Sequence, residues 1–252
     1  MSFEVSADAY GRFMGRFSGP LAEQFVDLVG VKREQRVLDV GCGSGALTAV
    51  LVRRVGVDLV SAVDPSASFV EVVRATYPSM DVQRCGAESL PFPDGSFDVA
   101  LAQLVVHFMT DPVTGIAEMA RTTARGGVVA ASVWDHAGDK GPLSAFWSAA
   151  RSLDPSTPGE SDLPGVAEGH LAELFLSAGL SDVTSSSLTV TVVHPSFEDW
   201  WDPFTLGVGP AGSYVAGLDN VRRDALRDRC RKTLPAAPFR TNATAWTALA
   251  HV

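Results

Sequence analysis

The sequence predicts an α/β fold, a largely parallel sheet with helices on both faces, and three observations lead there. From Arg36 onward, short apolar β-rich runs alternate with stretches whose apolar residues recur every three or four positions. A glycine-rich turn follows the first such run, and the remaining runs keep the same rhythm as far as Trp134. With 252 residues and 46% hydrophobic content, the chain can bury a full core as one domain.

Five runs read as parallel strands: 36–41 (RVLDVG), 59–64 (LVSAVD), 80–85 (MDVQRC), 97–103 (FDVALAQ) and 127–134 (GVVAASVW). The helical stretches between them are GALTAVLVRRV, SASFVEVVRATY and TGIAEMARTT. After Trp134 the rhythm breaks. Residues 135–167, rich in Gly, Pro, Asp and Ser around Phe146 and Trp147, read as a loop-and-helix insertion. A helix, EGHLAELFLSAG, then closes on Gly179, which suits a left-handed cap. Residues 181–193 favour a strand through their Thr and Val content. A second irregular block, 195–216, carries Trp200, Trp201, Phe204 and Tyr214, and a charged helix near 218–232 extends the insertion to about 235. The alternation in TNATAWTALAHV predicts a last strand.

Charge and cysteine usage narrow the function. Twenty-nine acidic against 20 basic side chains leave a net charge of -9, which repels polyanions, so no nucleic-acid partner is expected. Arg53-Arg54 and Arg222-Arg223 read as solvated helix faces. Three dispersed cysteines, Cys42, Cys85 and Cys230, suggest neither a disulfide framework nor a metal site. No secretory signal or membrane-length apolar run is visible, so a cytoplasmic protein with no membrane association is expected. His136, His170, His194 and His251 lack metal-ligand spacing, which predicts a metal-free reaction.

The chemistry-bearing segment is Val37-Leu38-Asp39-Val40-Gly41-Cys42-Gly43-Ser44-Gly45. Its glycines let a ligand lie against backbone, the following helix start offers N–H donors to a carboxylate, and Asp39 can receive an ammonium group. Asp64, ending the second strand before Pro65, stands where an acid grips ribose hydroxyls. Cys85-Gly86-Ala87-Glu88 follows the third strand, where a loop can wall in a purine. Gly41, Gly43 and Ala46 also satisfy the dinucleotide fingerprint G-x-G-x-x-A, which keeps a nicotinamide oxidoreductase open as a weaker reading. A non-catalytic binding module on the same fold is the other alternative.

These residues, with Leu90-Pro91-Phe92-Pro93-Asp94 and the Gly126-Gly127 pair, resemble the class I S-adenosylmethionine-dependent methyltransferases. The resemblance is strong over 36–134 and moderate around Tyr10 to Arg16. It implies a Rossmann-like seven-stranded sheet whose last strand is antiparallel, with S-adenosylmethionine at the strand ends and a small-molecule methyl acceptor beside it. By that resemblance Gly41, Gly43 and Gly45 would face the methionine part, Asp64 the ribose, and Ala87 the adenine through its backbone, with Cys42 and Pro65 also at the cofactor site. Many relatives carry an acid where this chain has Gly86, so either Glu88 takes over that contact or it is absent. Residues 1–35 would form lid helices, with Tyr10 and Arg16 reaching the cofactor carboxylate. Gln103 would line the pocket. His107, just past the fourth strand, is the candidate catalytic base because an unperturbed imidazole titrates near neutrality, at ~6.5; the alternative is that it only shapes the wall. The aromatics of the insertions 135–167 and 195–235 would either form an apolar acceptor pocket or anchor the flap.

Overall fold

The computed structural model describes residues 11–252. Strands β1 (Val37–Val40), β2 (Val60–Asp64), β3 (Asp81–Arg84), β4 (Phe97–Gln103) and β5 (Thr123–Trp134) pair in parallel. Two further strands, β6 (Thr184–His194) and β7 (Phe239–His251), complete a seven-stranded sheet of order β3-β2-β1-β4-β5-β7-β6. β7 runs antiparallel to both of its neighbours.

Strand β1 shows why the parallel region reads as an unbroken apolar run. Leu38 and Val40 point into the core on one face of the sheet and Val37 into the core on the other, so both faces are covered. The Val37 face is closed by α1 (Arg16–Val29), α2 (Ala46–Val55) and α3 (Ala67–Thr76), through Phe25, Leu47, Leu51, Val70 and Val73. The opposite face is closed by α4 (Pro112–Thr122) and, beyond α5 (Ser144–Leu153), by α6 (His170–Ser177), through Ile116, Met119, Leu171 and Phe175. Local chemistry sets the helix ends: Asp111 accepts from the Thr114 N–H ahead of Pro112, and Gly179 takes the left-handed conformation expected of it, at φ 89°.

Two departures from the sequence reading are instructive. β5 begins at Thr123 rather than 127, because α4 passes directly into it and the extra residues are taken up by a register shift opposite Phe97 and Val99. The second insertion is almost wholly helical, with α7 (Phe197–Trp201), a 3-10 turn over Asp202–Leu206, α8 (Gly209–Ala216) and α9 (Asn220–Thr233).

The aromatics of the insertions pack on one another. Phe146 stacks on Phe204 with ring centroids 4.5 Å apart, and Trp200 lies 4.8 Å and Phe13 5.1 Å from Phe204. Of the two alternatives for these rings, anchoring is the one observed. Phe146, Trp147, Trp200, Trp201 and Phe204 are buried, and neither they nor Tyr214 line the two cavities of the site below.

Candidate active site

Strand order reverses between β1 and β4, and the crevice that opens there at the carboxyl ends of the strands is where open α/β sheets take ligands. Its cavity volume is about 370 Å³, within the range of small-molecule sites. Four successive strand ends supply its walls: Gly41 to Gly43 after β1, Asp64 and Pro65 at β2, Cys85 to Glu88 after β3, and Gln103 to Val105 after β4.

The turn after β1 is tied down by backbone. The Gly41 and Cys42 N–H groups both donate to Val63 O, at 2.8 and 3.0 Å. Gly41 has φ 74°, and a β-carbon there would lie 2.4 Å from Val105 Cγ2, so only glycine fits. Asp64 bridges two strand ends: Oδ2 accepts from the Gly43 N–H at 2.9 Å and Oδ1 from the Ser66 N–H at 2.8 Å. Burial raises its pKa, partly countered by those two donors.

Asp39 lies beneath the turn, only 1% exposed, and is absent from the crevice lining. The Thr48 hydroxyl of α2 donates to its Oδ2 at 2.6 Å. Burial, with a smaller push from the Asp64 charge, raises its pKa to about 7 despite that bond. Gln103 lines the crevice with its Nε2 donating to Ser18 O at 3.0 Å, while its buried Oε1 has no partner. Such an orphaned acceptor fits a ligand donor.

Glu88 also lines the crevice. Its Oε1 accepts from the Thr110 N–H at 2.8 Å, holding the loop before α4. Its Oε2 would lie 2.8 Å from a β-carbon placed on Gly86. The carboxylate thus occupies the space that a side chain at position 86 would fill.

Not every expected residue is here. Tyr10 lies outside the described residues. Arg16 is a correction: its guanidinium does not line the crevice but pairs with Asp199, at 2.9 Å to Oδ2 and 3.3 Å to Oδ1, beside buried His194. A carboxylate on α7 satisfies the cation that the sequence reading assigned to the cofactor. His107 is the second correction. It sits in a 3-10 turn, Val106–Phe108, 5% exposed, and faces a neighbouring cavity instead. Burial, reinforced by His136, holds its pKa well below 6.5, which removes the ground on which it was singled out as a base.

That neighbouring cavity, about 40 Å³, shares Leu104 and Phe108 with the crevice. Phe13, Met14, Trp134, Leu143, His136 and Glu160 complete its main walls. Sequence reasoning missed Glu160, which sits in irregular chain with no motif around it, and gave His136 no role.

A mostly parallel sheet closed by an antiparallel β7, with a ligand crevice above a glycine-rich turn, defines the class I methyltransferase fold. Residues 38–131 match the family model described as Methyltransferase domain. A malonyl-[acyl-carrier protein] O-methyltransferase of Erwinia billingiae is 30% identical over 195 residues, 73% of this chain and 74% of that protein. The chain belongs to the S-adenosylmethionine-dependent methyltransferase family. An uncharacterized methyltransferase of Mycobacterium tuberculosis is 39% identical over 127 residues, 50% of this chain and 49% of its own, so the chain spans about half the length of that relative. The crystal structure of the YcgJ protein from Bacillus subtilis shares the fold, with TM-score 0.58 and 21% identity over 93% of this chain and 98% of its own.

Proposed function

We propose that this protein transfers a methyl group from S-adenosylmethionine to a small, partly apolar acceptor, without a metal. The observation that carries the reading is the crevice: a glycine turn that leaves backbone open, two acids below and beside it, and a buried Gln103 Oε1 awaiting a donor. Family membership supplies the cofactor class.

The residues present suit that cofactor. Gly41, Cys42 and Gly43 border the methionine end, with the Asp39 charge beneath them attracting its ammonium group and Gln103 Oε1 open to one of its protons. Asp64 retains lone pairs for the ribose hydroxyls, with Pro65 beside it. Ala87 and Glu88 border the adenine end, where Glu88 Oε2 stands in for the acid missing at position 86. When bound, the sulfonium supplies an already activated methyl group. The protein's task is then to hold the acceptor's nucleophile ~3 to 3.5 Å from it and in line, and to exclude water. His107, kept neutral, serves as a wall and hydrogen-bonding group on the acceptor side.

The chain acts as one domain, with 135–167 and 195–235 on the acceptor side. Among the described residues no helix is long and apolar enough to cross a membrane. The three free cysteines suit a reducing cytoplasm, and the net negative charge suits a partner other than nucleic acid.

Isothermal titration of ligand-free protein tests the reading. S-adenosylmethionine and S-adenosylhomocysteine should bind with micromolar affinity, ~-8 kcal/mol, and NAD(H) should not bind. A folded, ligand-free sample that ignores both adenosyl compounds refutes it.

A further inference from the structure

The small cavity beside the crevice carries more information about the acceptor than the aromatic insertions do. Its lining is apolar except for His107, His136 and Glu160. Glu160, 4% exposed, accepts from Trp147 Nε1 through Oε2 at 2.8 Å. Two polar atoms of this lining, His107 Nδ1 and Trp134 Nε1, are buried without partners. Buried polar atoms are seldom left this way unless a ligand or water completes them. Among the described residues no lysine or arginine lines either cavity.

We propose that this cavity receives the reacting end of the methyl acceptor, and that the acceptor is an apolar molecule bearing an amine, anchored by Glu160. The proposal rests on the methyltransferase reading and deepens it.

Size and charge both argue for this chemistry. A water needs ~10 to 15 Å³ of such space, so 40 Å³ holds a head of about three non-hydrogen atoms. The nitrogen must meet the methyl group at Leu104 and Phe108, the walls common to both cavities, with the body of the acceptor extending away from the crevice. His136 titrates near 4 and His107 well below 6.5, both through burial, so each is neutral at physiological pH. Glu160 is then the one group lining this cavity that can carry charge. A carboxylate or phosphate on the acceptor would face it with no cation in compensation, at severe cost in a buried site. An amine restores what burial took from the carboxylate.

Burial raises the affinity of Glu160 for a proton while lowering that of His107. In the transfer, the ammonium held against Glu160 first gives one proton to that carboxylate, which frees the nitrogen's lone pair to form the bond to the methyl carbon of S-adenosylmethionine. The carbon–sulfur bond breaks with its pair going to sulfur, and the methylated nitrogen carries the positive charge that the sulfonium loses.

The test uses protein saturated with S-adenosylhomocysteine and three probes of one shape: benzylamine, benzyl alcohol and benzoate. Calorimetry should show benzylamine binding at least about tenfold more tightly than benzoate, a difference of ~1.4 kcal/mol, with benzyl alcohol between them. Glu160→Gln should erase that preference while keeping its bond from Trp147 and the affinity for S-adenosylhomocysteine. Leu143→Trp, which fills the cavity, should abolish binding of all three probes. Benzoate binding as well as benzylamine, no probe binding, or an unchanged preference in Glu160→Gln overturns the proposal. Failure of S-adenosylhomocysteine to bind the wild-type protein is a separate result and overturns the broader reading instead.

Discussion

Replacing Asp39 with Asn should make the ligand-free protein more stable at alkaline pH while weakening its hold on the cofactor. The carboxyl is 1% exposed and titrates near 7 in the fold, against 3.8 when free of it. At ~1.4 kcal/mol for each tenfold change in proton affinity, that gap is worth ~4 kcal/mol. The sign follows from proton counting. Between the two values the folded state holds a proton that the unfolded chain has released, so stability is full below 3.8 and is lost as pH rises through about 7. Asparagine carries no such charge at any pH. It can still accept from Thr48, although its amide N–H groups bring a desolvation cost of ~1 to 3 kcal/mol. The firm quantity is therefore the pH dependence of the difference between the two proteins. Urea unfolding should show the variant's relative stability rising by ~2 kcal/mol between about pH 5.5 and pH 8. Comparing the two proteins cancels every other titrating group. A difference that stays flat over this range would falsify the claim that Asp39 resists ionisation. In the same variant, affinity for S-adenosylmethionine measured at about pH 8, where the wild-type carboxyl is ionised, should drop about tenfold or more, since the negative charge beneath its ammonium group is gone.

Two further substitutions probe the turn itself. Asp64→Ala should weaken S-adenosylhomocysteine binding by ~1.5 to 3 kcal/mol in calorimetry, through loss of a charged acceptor for the ribose; unchanged affinity in a folded variant excludes that role. Gly41→Ala should cost ~2 to 3 kcal/mol in urea unfolding, part from the positive φ and part from the clash with Val105. A Val105→Ala background should lessen that loss, and strict additivity of the two changes would mean that the contact is not its source.

The parallel core was legible because its constraints are local. β4 spans the expected residues, Phe97 to Gln103, since a strand covered on both faces is apolar throughout and its ends are marked by turn residues. The glycine turn was legible because φ 74° at Gly41 leaves a signature in residue type. Partner choice leaves no such trace. Arg16 looked available because Asp199 stands 183 positions away, and nothing near either residue announces the pairing. His107 looked like a base because its unperturbed titration is a property of the residue, whereas its burial is a property of the fold. Glu160 was invisible for the same reason, being an acid in a loop that long-range packing carries under Trp147. The insertion aromatics announced burial but not its direction, and they turned toward one another.

The place of β7 bears on how the chain is made. It follows every other strand in sequence yet lies between β5 and β6, donating and accepting on both sides. During synthesis, β1 to β5 can assemble as each emerges, but the edges of β5 and β6 stay bare until Phe239–His251 has left the ribosome. A polypeptide stalled before Phe239 therefore presents two open strand edges and is a target for aggregation or proteolysis, not a smaller working enzyme.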